Sequence, residues 1–368
     1  MATHSHVKFF KGVGLTDLLV GLAIGMLAML VIIKVAVLFE ARRKSTVGTA
    51  NAQQNVAIAV SLMSRELRMA GQGLGPVDSL GCAVAHDLGT ALGTLSLTPV
   101  AIIDGSAGAP DEIRIFSSAT QHSTAAAKLL VAHASSDTAM QIDSTLGMQT
   151  DDYLLFYEAG KTCSLVRATA ISTGAYRVDH SSMPMVTPTT PVPVGTVATP
   201  AALDYGSGSR VINLGSLHLV RYAINANNDL QTSRFNLASA DWQTAGMASG
   251  IVSLQAQYGF DNRSGLQTSP QVTFWSSSMI DADSNGKAGD AGDLKRLIAI
   301  RFAVVARSSE RNDQGCNAVQ PQWTAGDVTT GQLTSIDISL GHIDNWNCFR
   351  YRVLEAEVPL RNLIWNDS

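Results

Sequence analysis

The chain has 368 residues, 26 basic against 30 acidic, for a formal net charge of −4. A chain of this length buries a substantial core in one large or two modest domains, and the near balance of charge excludes the clustered basic excess of a nucleic-acid-binding surface. Charged residues make up only 15%; Ser, Thr, Ala and Gly dominate the middle of the chain, which suits short strands joined by long loops, so an all-β or α+β fold is expected beyond the N-terminus.

Residues 1–12 are mildly basic, with Lys8 and Lys11, and lead into an apolar run. Leu18 to Ile33 carries no charge, and after Lys34 the apolar character resumes from Val35 to Phe39. At a rise of ~1.5 Å per residue, Leu18 to Phe39 is long enough to cross a ~30 Å hydrocarbon core. A secretory signal peptide carries its small-residue cleavage site after the apolar region. Here Glu40-Ala-Arg-Arg-Lys44 follows, and the small residues Gly12 and Gly14 stand before the run. Within the run Gly21-x-x-x-Gly25 permits close helix approach, although the spacing also arises by chance. Lys34 is placed to snorkel. Arg42, Arg43 and Lys44 run against the positive-inside tendency if the span exits outward, with only Lys8 and Lys11 opposing them.

Beyond the span Val56, Val60, Met63, Leu67 and Ala70 recur at intervals of three and four, while Ser64, Arg65, Glu66 and Arg68 fill other positions. That is an amphipathic helix. Gly71, followed by Gly73 and Gly75-Pro76, is its expected stop. One helix is therefore expected from about Leu15 to Ala70. Strands are expected at Glu112–Phe116, Tyr153–Tyr157, Leu165–Ile171, Leu217–Ile224, Ile251–Tyr258, Leu297–Val305 and Arg350–Val358. The Pro/Thr-rich stretch from Pro184 to Pro200 is no central strand and reads as a surface loop or a break between sub-lobes.

The stretch Lys11-Gly12-Val13-Gly14-Leu15-Thr16-Asp17-Leu18-Leu19-Val20 resembles the leader of prepilins. The resemblance implies cleavage between Gly12 and Val13 by a prepilin peptidase, methylation of the new amine, and an apolar helix that stays in the mature protein. Prepilins carry glutamate at the fifth mature residue, where it pairs with that amine during assembly; Asp17 falls at this position with a shorter reach. The alternative is a solvated interfacial acid. Four further blocks are similar to PilW-type minor pilins: Ser64-Arg-Glu-Leu-Arg-Met-Ala-Gly71, Gly250-Ile-Val-Ser-Leu-Gln-Ala-Gln-Tyr-Gly-Phe-Asp261, Leu297-Ile-Ala-Ile-Arg-Phe-Ala-Val-Val-Ala-Arg-Ser308 and Tyr351-Arg-Val-Leu-Glu-Ala-Glu-Val-Pro-Leu-Arg-Asn362. The family implies an α+β fold, with a long N-terminal helix packed on an antiparallel β-sheet head. It divides the chain into a leader (1–12), a transmembrane half-helix (13–39), an amphipathic half-helix (40–71) and a periplasmic or extracellular head (72–368). It also implies a part in starting type IV pilus assembly or forming the filament tip, with other minor pilins, the major pilin and the inner-membrane assembly platform as partners, and a tip adhesin as a further one. Fimbrial localisation, adhesion and twitching motility follow from the same resemblance. A minor pseudopilin of a type II secretion system shares the leader and helix and is the alternative.

Cys82, Cys163, Cys316 and Cys348 contain no Cys-x-x-Cys pair, which weakens a zinc or redox reading. In an oxidising compartment two disulfides are expected. Of the three pairings, Cys316–Cys348 with Cys82–Cys163 is favoured, against four free thiols as the other reading. Asp281-Ala-Asp283-Ser-Asn285-Gly286 follows the opening of a calcium loop, with Asp290 and Asp293 close behind, but Gly292 stands where a bidentate glutamate is required. Calcium and a plain acidic turn both remain open; no cofactor is otherwise required. No Gly-x-Ser-x-Gly, phosphate-cradling loop or His-Glu-x-x-His occurs, and His86, His122, His133, His180, His218 and His342 have no partners by spacing. A non-enzymatic protein is expected.

Overall fold

The computed structural model describes residues 14–118, 125–185, 202–263, 269–311 and 315–364. Gly12, Val13 and most of the Pro184–Pro200 stretch lie outside them. The fold is α+β: a 55-residue helix α1 (Leu15–Met69) and a head built from several sheets, antiparallel except for one pairing of Ala83–Ala85 with Cys163–Ser172.

Helix α1 runs without interruption because no proline falls within it and its apolar residues repeat on one face. Its stop is Gly71, whose φ of 76° lies in the left-handed region that a side chain disfavours. The Gly71 N–H donates to the Phe116 carbonyl at 3.0 Å, so the turn leads straight onto the head. The second half of α1 packs mainly on Tyr351–Pro359 and Leu297–Arg307. These strands belong to a four-stranded sheet in the order Phe274–Ser276, Ile251–Phe260, Leu297–Arg307, Tyr351–Pro359. Leu297–Arg307 is buried on both faces, which accounts for its nearly continuous apolar sequence. Ile300, Phe302 and Val304 join the main core with α1, whereas Ala303 and Val305 face a smaller core roofed by the hairpin of Gln322–Gly326 and Leu333–Asp337, which contributes Trp323 and Ala325. The hairpin is fastened by Gln257, which donates to the Gly326 carbonyl and accepts from its N–H.

A five-stranded antiparallel sheet runs Asp241–Ser249, Asp229–Asn236, Leu217–Ile224, Glu112–Ser118, Val100–Ile103. It meets the four-stranded sheet at Asp111. This buried carboxylate accepts from Gly105 N–H at 2.9 Å and Ala256 N–H at 2.7 Å, satisfying donors at a sheet edge. The eight-stranded sheet, centred on Tyr153–Tyr157, Cys163–Ser172 and Arg210–Gly215, carries a separate core of Leu154, Phe156, Val166, Val178, Tyr205 and neighbours. Both disulfides are formed: Cys82–Cys163 fixes the parallel pair, and Cys316–Cys348 closes a C-terminal loop.

All seven expected strands are present, within a few residues of their expected ends. Sequence reasoning passed over Arg210–Gly215, Asp229–Asn236 and Asp241–Ser249 and the two- to four-residue strands of the eight-stranded sheet.

Candidate functional site

The feature that sets this fold apart is the division of α1. From Leu15 to Phe39 its large apolar side chains are all exposed, Phe39 at 74% and Leu18 at 64%. At Gly48 the helix becomes buried, with Ser309 of the head alongside. From there Ala52, Val56, Ala59, Val60, Met63, Leu67 and Ala70 form a continuous buried stripe. A run this exposed, with Asp17 and Lys34 its only charged residues, is unsuited to water and is long and apolar enough to cross a membrane. On the opposite side of the docked half, Ile58, Leu62 and Met69 stay exposed.

Polar contacts lock the docked half. The Glu66 carboxylate meets His218 Nε2 at 3.2 Å and Arg234 at 3.3 Å. The hydrogen bond with His218, with the charges of His218 and Arg234, holds Glu66 below the usual carboxylate range despite its partial burial. Asn55 donates to the Ser249 carbonyl at 2.9 Å. Near the far end of the chain, Asn362 donates to the Arg68 and Ala70 carbonyls, which the end of a helix leaves without partners. Glu66 thus departs from the expectation of a plain polar position, and His218 has a partner that its place in the sequence did not reveal.

Asp17 lies in the first turn of α1, exposed, and accepts from the Gly14 N–H at 3.3 Å, a favourable place for a carboxylate at a helix N-terminus. Gly12 and Val13, on either side of the expected cleavage, are outside the described residues.

In the acidic loop, one carboxylate oxygen from each of Asp281, Asp283 and Asp293 lies within 4.8 Å of the others. Asn285 and Asp290 take other parts. Asn285 donates its amide to Asp283 and Asp290, while Asp290 caps the short helix α2 (Ala291–Arg296) by accepting from the Gly292 and Asp293 N–H groups. Asp293 is fully buried and accepts from Ala282, Asp283 and Gly289 N–H groups. Burial, with the neighbouring Asp290 and Asp293 charges, raises Asp283; for Asp281 burial is outweighed by the N–H donors of Gly286 and Asn285, which lower it. Gly292 has a local reason: a Cβ there would lie 1.8 Å from the Asp283 carboxylate.

Two histidines with no apparent partner meet in the core of the eight-stranded sheet. His133 and His180 are both buried, with Nε2 atoms 2.9 Å apart beside Phe156. His180 Nδ1 sits 2.6 Å from the Ser181 carbonyl and must donate to it, so in the neutral pair His133 donates to His180.

No match is found among curated proteins or among solved structures. The family described as Type IV Pilus-assembly protein W matches residues 219–362, which take in the four-stranded sheet under α1, the acidic loop and the hairpin. Over these residues, less than half of its length, the chain is similar to the Type IV Pilus-assembly protein W family, a similarity that supports a role in type IV pilus assembly.

Proposed function

We propose that this chain is a minor pilin: a non-enzymatic subunit cut by a prepilin peptidase between Gly12 and Val13 and then incorporated near the initiating, tip end of a type IV pilus. Before assembly it sits in the inner membrane through the first half of α1, with the head in the periplasm. The observation that carries this reading is the split of α1 into an exposed apolar half and a half docked on the head. The exposed half needs lipid before assembly and neighbouring helices afterwards, and both environments suit a segment that satisfies its own backbone hydrogen bonds. Asp17, the fifth residue of the chain after cleavage, holds the new amine of Val13, since a carboxylate in an apolar setting requires a partner. Other minor pilins, the major pilin and the inner-membrane assembly platform are its partners.

The test is the N-terminal sequence and mass of the protein taken from its native membrane or filament fraction. A chain beginning at Val13 with a methylated amine is expected, Gly12→Leu should block processing, and Asp17→Ala should impair piliation with the head still folded. An intact Met1, or normal piliation in both variants, refutes the reading. Loss of type II secretion with normal pili would assign the chain to a secretion filament instead.

The acidic loop supports a second, separate proposal: a calcium ion held by Asp281, Asp283 and Asp293, whose convergent oxygens suit a hard cation.

A further inference from the structure

Away from α1 and the acidic loop, the head has an open cavity of about 440 Å³ lined by Asp78, Tyr157, Glu158, Arg210 and the loop Gly206–Ser209. Its size is that of a small-ligand site, and its lining mixes the charged groups of Asp78, Glu158 and Arg210 with the apolar surface of the Tyr157 ring, Ala159 and the glycines. In the strand register Arg210 stands opposite Tyr157 on one side and opposite Lys128 on the other. The three side chains therefore occupy one row on one face of the sheet, an aromatic ring followed by two cations. Like charges placed directly across a strand pair are unfavourable. Among the described residues no carboxylate pairs with the Arg210 guanidinium or the Lys128 ammonium group, although two carboxylates line the same cavity. Those two are engaged elsewhere. Glu158 is held by Lys161 at 2.8 Å, Gly206 N–H and Ser209 Oγ, which bring its pKa down to about 2, and Asp78 lies 3.4 Å from Lys295.

We propose that this cavity binds an acidic sugar, a uronic-acid type of residue whose carboxylate lies on Arg210 and whose ring lies against Tyr157. The lining selects this ligand class over other anions. Asp78 and Glu158 repel polyanions such as polyphosphate or nucleic acid, but they are acceptors for sugar hydroxyls. Ser207 spends its proton on the Leu130 carbonyl at 3.0 Å and keeps its lone pairs for a ligand donor. Tyr157 is fixed by its own hydroxyl, which donates to the Asp78 carbonyl at 2.7 Å, so the ring is presented at little entropic cost. A planar guanidinium takes a carboxylate with two parallel hydrogen bonds.

The test uses the full chain in detergent micelles, titrated with digalacturonate and, separately, with neutral digalactose. Digalacturonate should bind saturably, with an affinity that falls as salt is added, and digalactose should bind about tenfold more weakly or worse. Arg210→Gln should cut digalacturonate affinity about tenfold or more, the loss expected for a charge-assisted pair, without lowering the melting temperature. Should that variant fail to fold, Tyr157→Ala should show a comparable loss. Absence of saturable binding, equal affinity for the two disaccharides, or unchanged affinity in the variants overturns the proposal, as does displacement of digalacturonate by a short peptide with a free C-terminal carboxylate. Binding is read independently of processing at Gly12, so this inference and the pilin reading fail separately.

Discussion

Leu67 is the sharpest probe of how the helix is held. It is 0% exposed in the main core, whereas Leu62, five residues earlier on α1, is 43% exposed. Leu67→Ala removes about three buried carbon groups, worth ~0.8 kcal/mol each in transfer free energy. The surrounding strands and the long helix resist collapse, so a residual cavity adds roughly 1–2 kcal/mol. The sum is about 4 kcal/mol, which at a urea slope of ~3 kcal/mol/M moves the unfolding midpoint by more than about 1 M. Tryptophan fluorescence of the full chain in micelles reports the transition, because Trp275 and Trp323 are buried in the head. Leu62→Ala should cost less than about 1 kcal/mol, yet reduce piliation if its exposed face meets a neighbouring subunit. A shift of less than about 1 kcal/mol for Leu67→Ala, or equal costs for the two, would refute the assignment of the docked face.

Other expectations are equally specific. Burial, and for His133 the neighbouring His180, holds both histidines below their usual value of about 6.5; Asp137, Asp179 and Asp204 around them pull the other way. The unfolded chain therefore binds protons first, and stability is lost as pH falls through the usual histidine range; replacing both with Leu should flatten melting temperature against pH between 7 and 5. Asp111 has the opposite sign. Burial raises its pKa to about 6, so stability falls as pH rises from 4 to 6, and Asp111→Asn should remove up to about 3 kcal/mol of that slope in paired denaturation curves. If the acidic loop takes calcium, the melting temperature should rise with added calcium but not with added sodium at equal ionic strength. Gly292→Ala should abolish that rise, because its Cβ would collide with Asp283; an identical melt with and without calcium removes the metal.

The residues that carry periodicity were readable and the residues that act across the fold were not. Val56, Val60, Met63, Leu67 and Ala70 announce the docked face, and all five are buried. The stripe is completed by Ala52 and Ala59, which a helix of mixed alanines does not flag, and Ser64 is buried although polar. Long strands such as Leu297–Arg307 are visible because burial on both faces makes them almost wholly apolar, with only Arg301 and Arg307 charged. The two- to four-residue strands between residues 83 and 180 are too short to show a detectable alternation. The partners Glu66 and His218 stand 152 residues apart, and His133 and His180 stand 47 apart, distances over which spacing says nothing. At the acidic loop the sequence grouped the acids but did not assign their duties, because which of them caps α2 depends on a six-residue helix too short to announce itself.

The Cys82–Cys163 bond has a mechanical meaning. A ligand held at Tyr157 and Arg210 would pull on the eight-stranded sheet, while a filament built as proposed would hold the molecule by α1. Along the backbone the load would have to cross the several mostly short strands that lie between. The bond bypasses that 81-residue separation by tying Cys82, a short way beyond the end of α1, to Cys163, a short way beyond Tyr157. Traction then runs from the cavity to the helix through a short stretch of chain and one covalent bridge, and the intervening segment is spared extension.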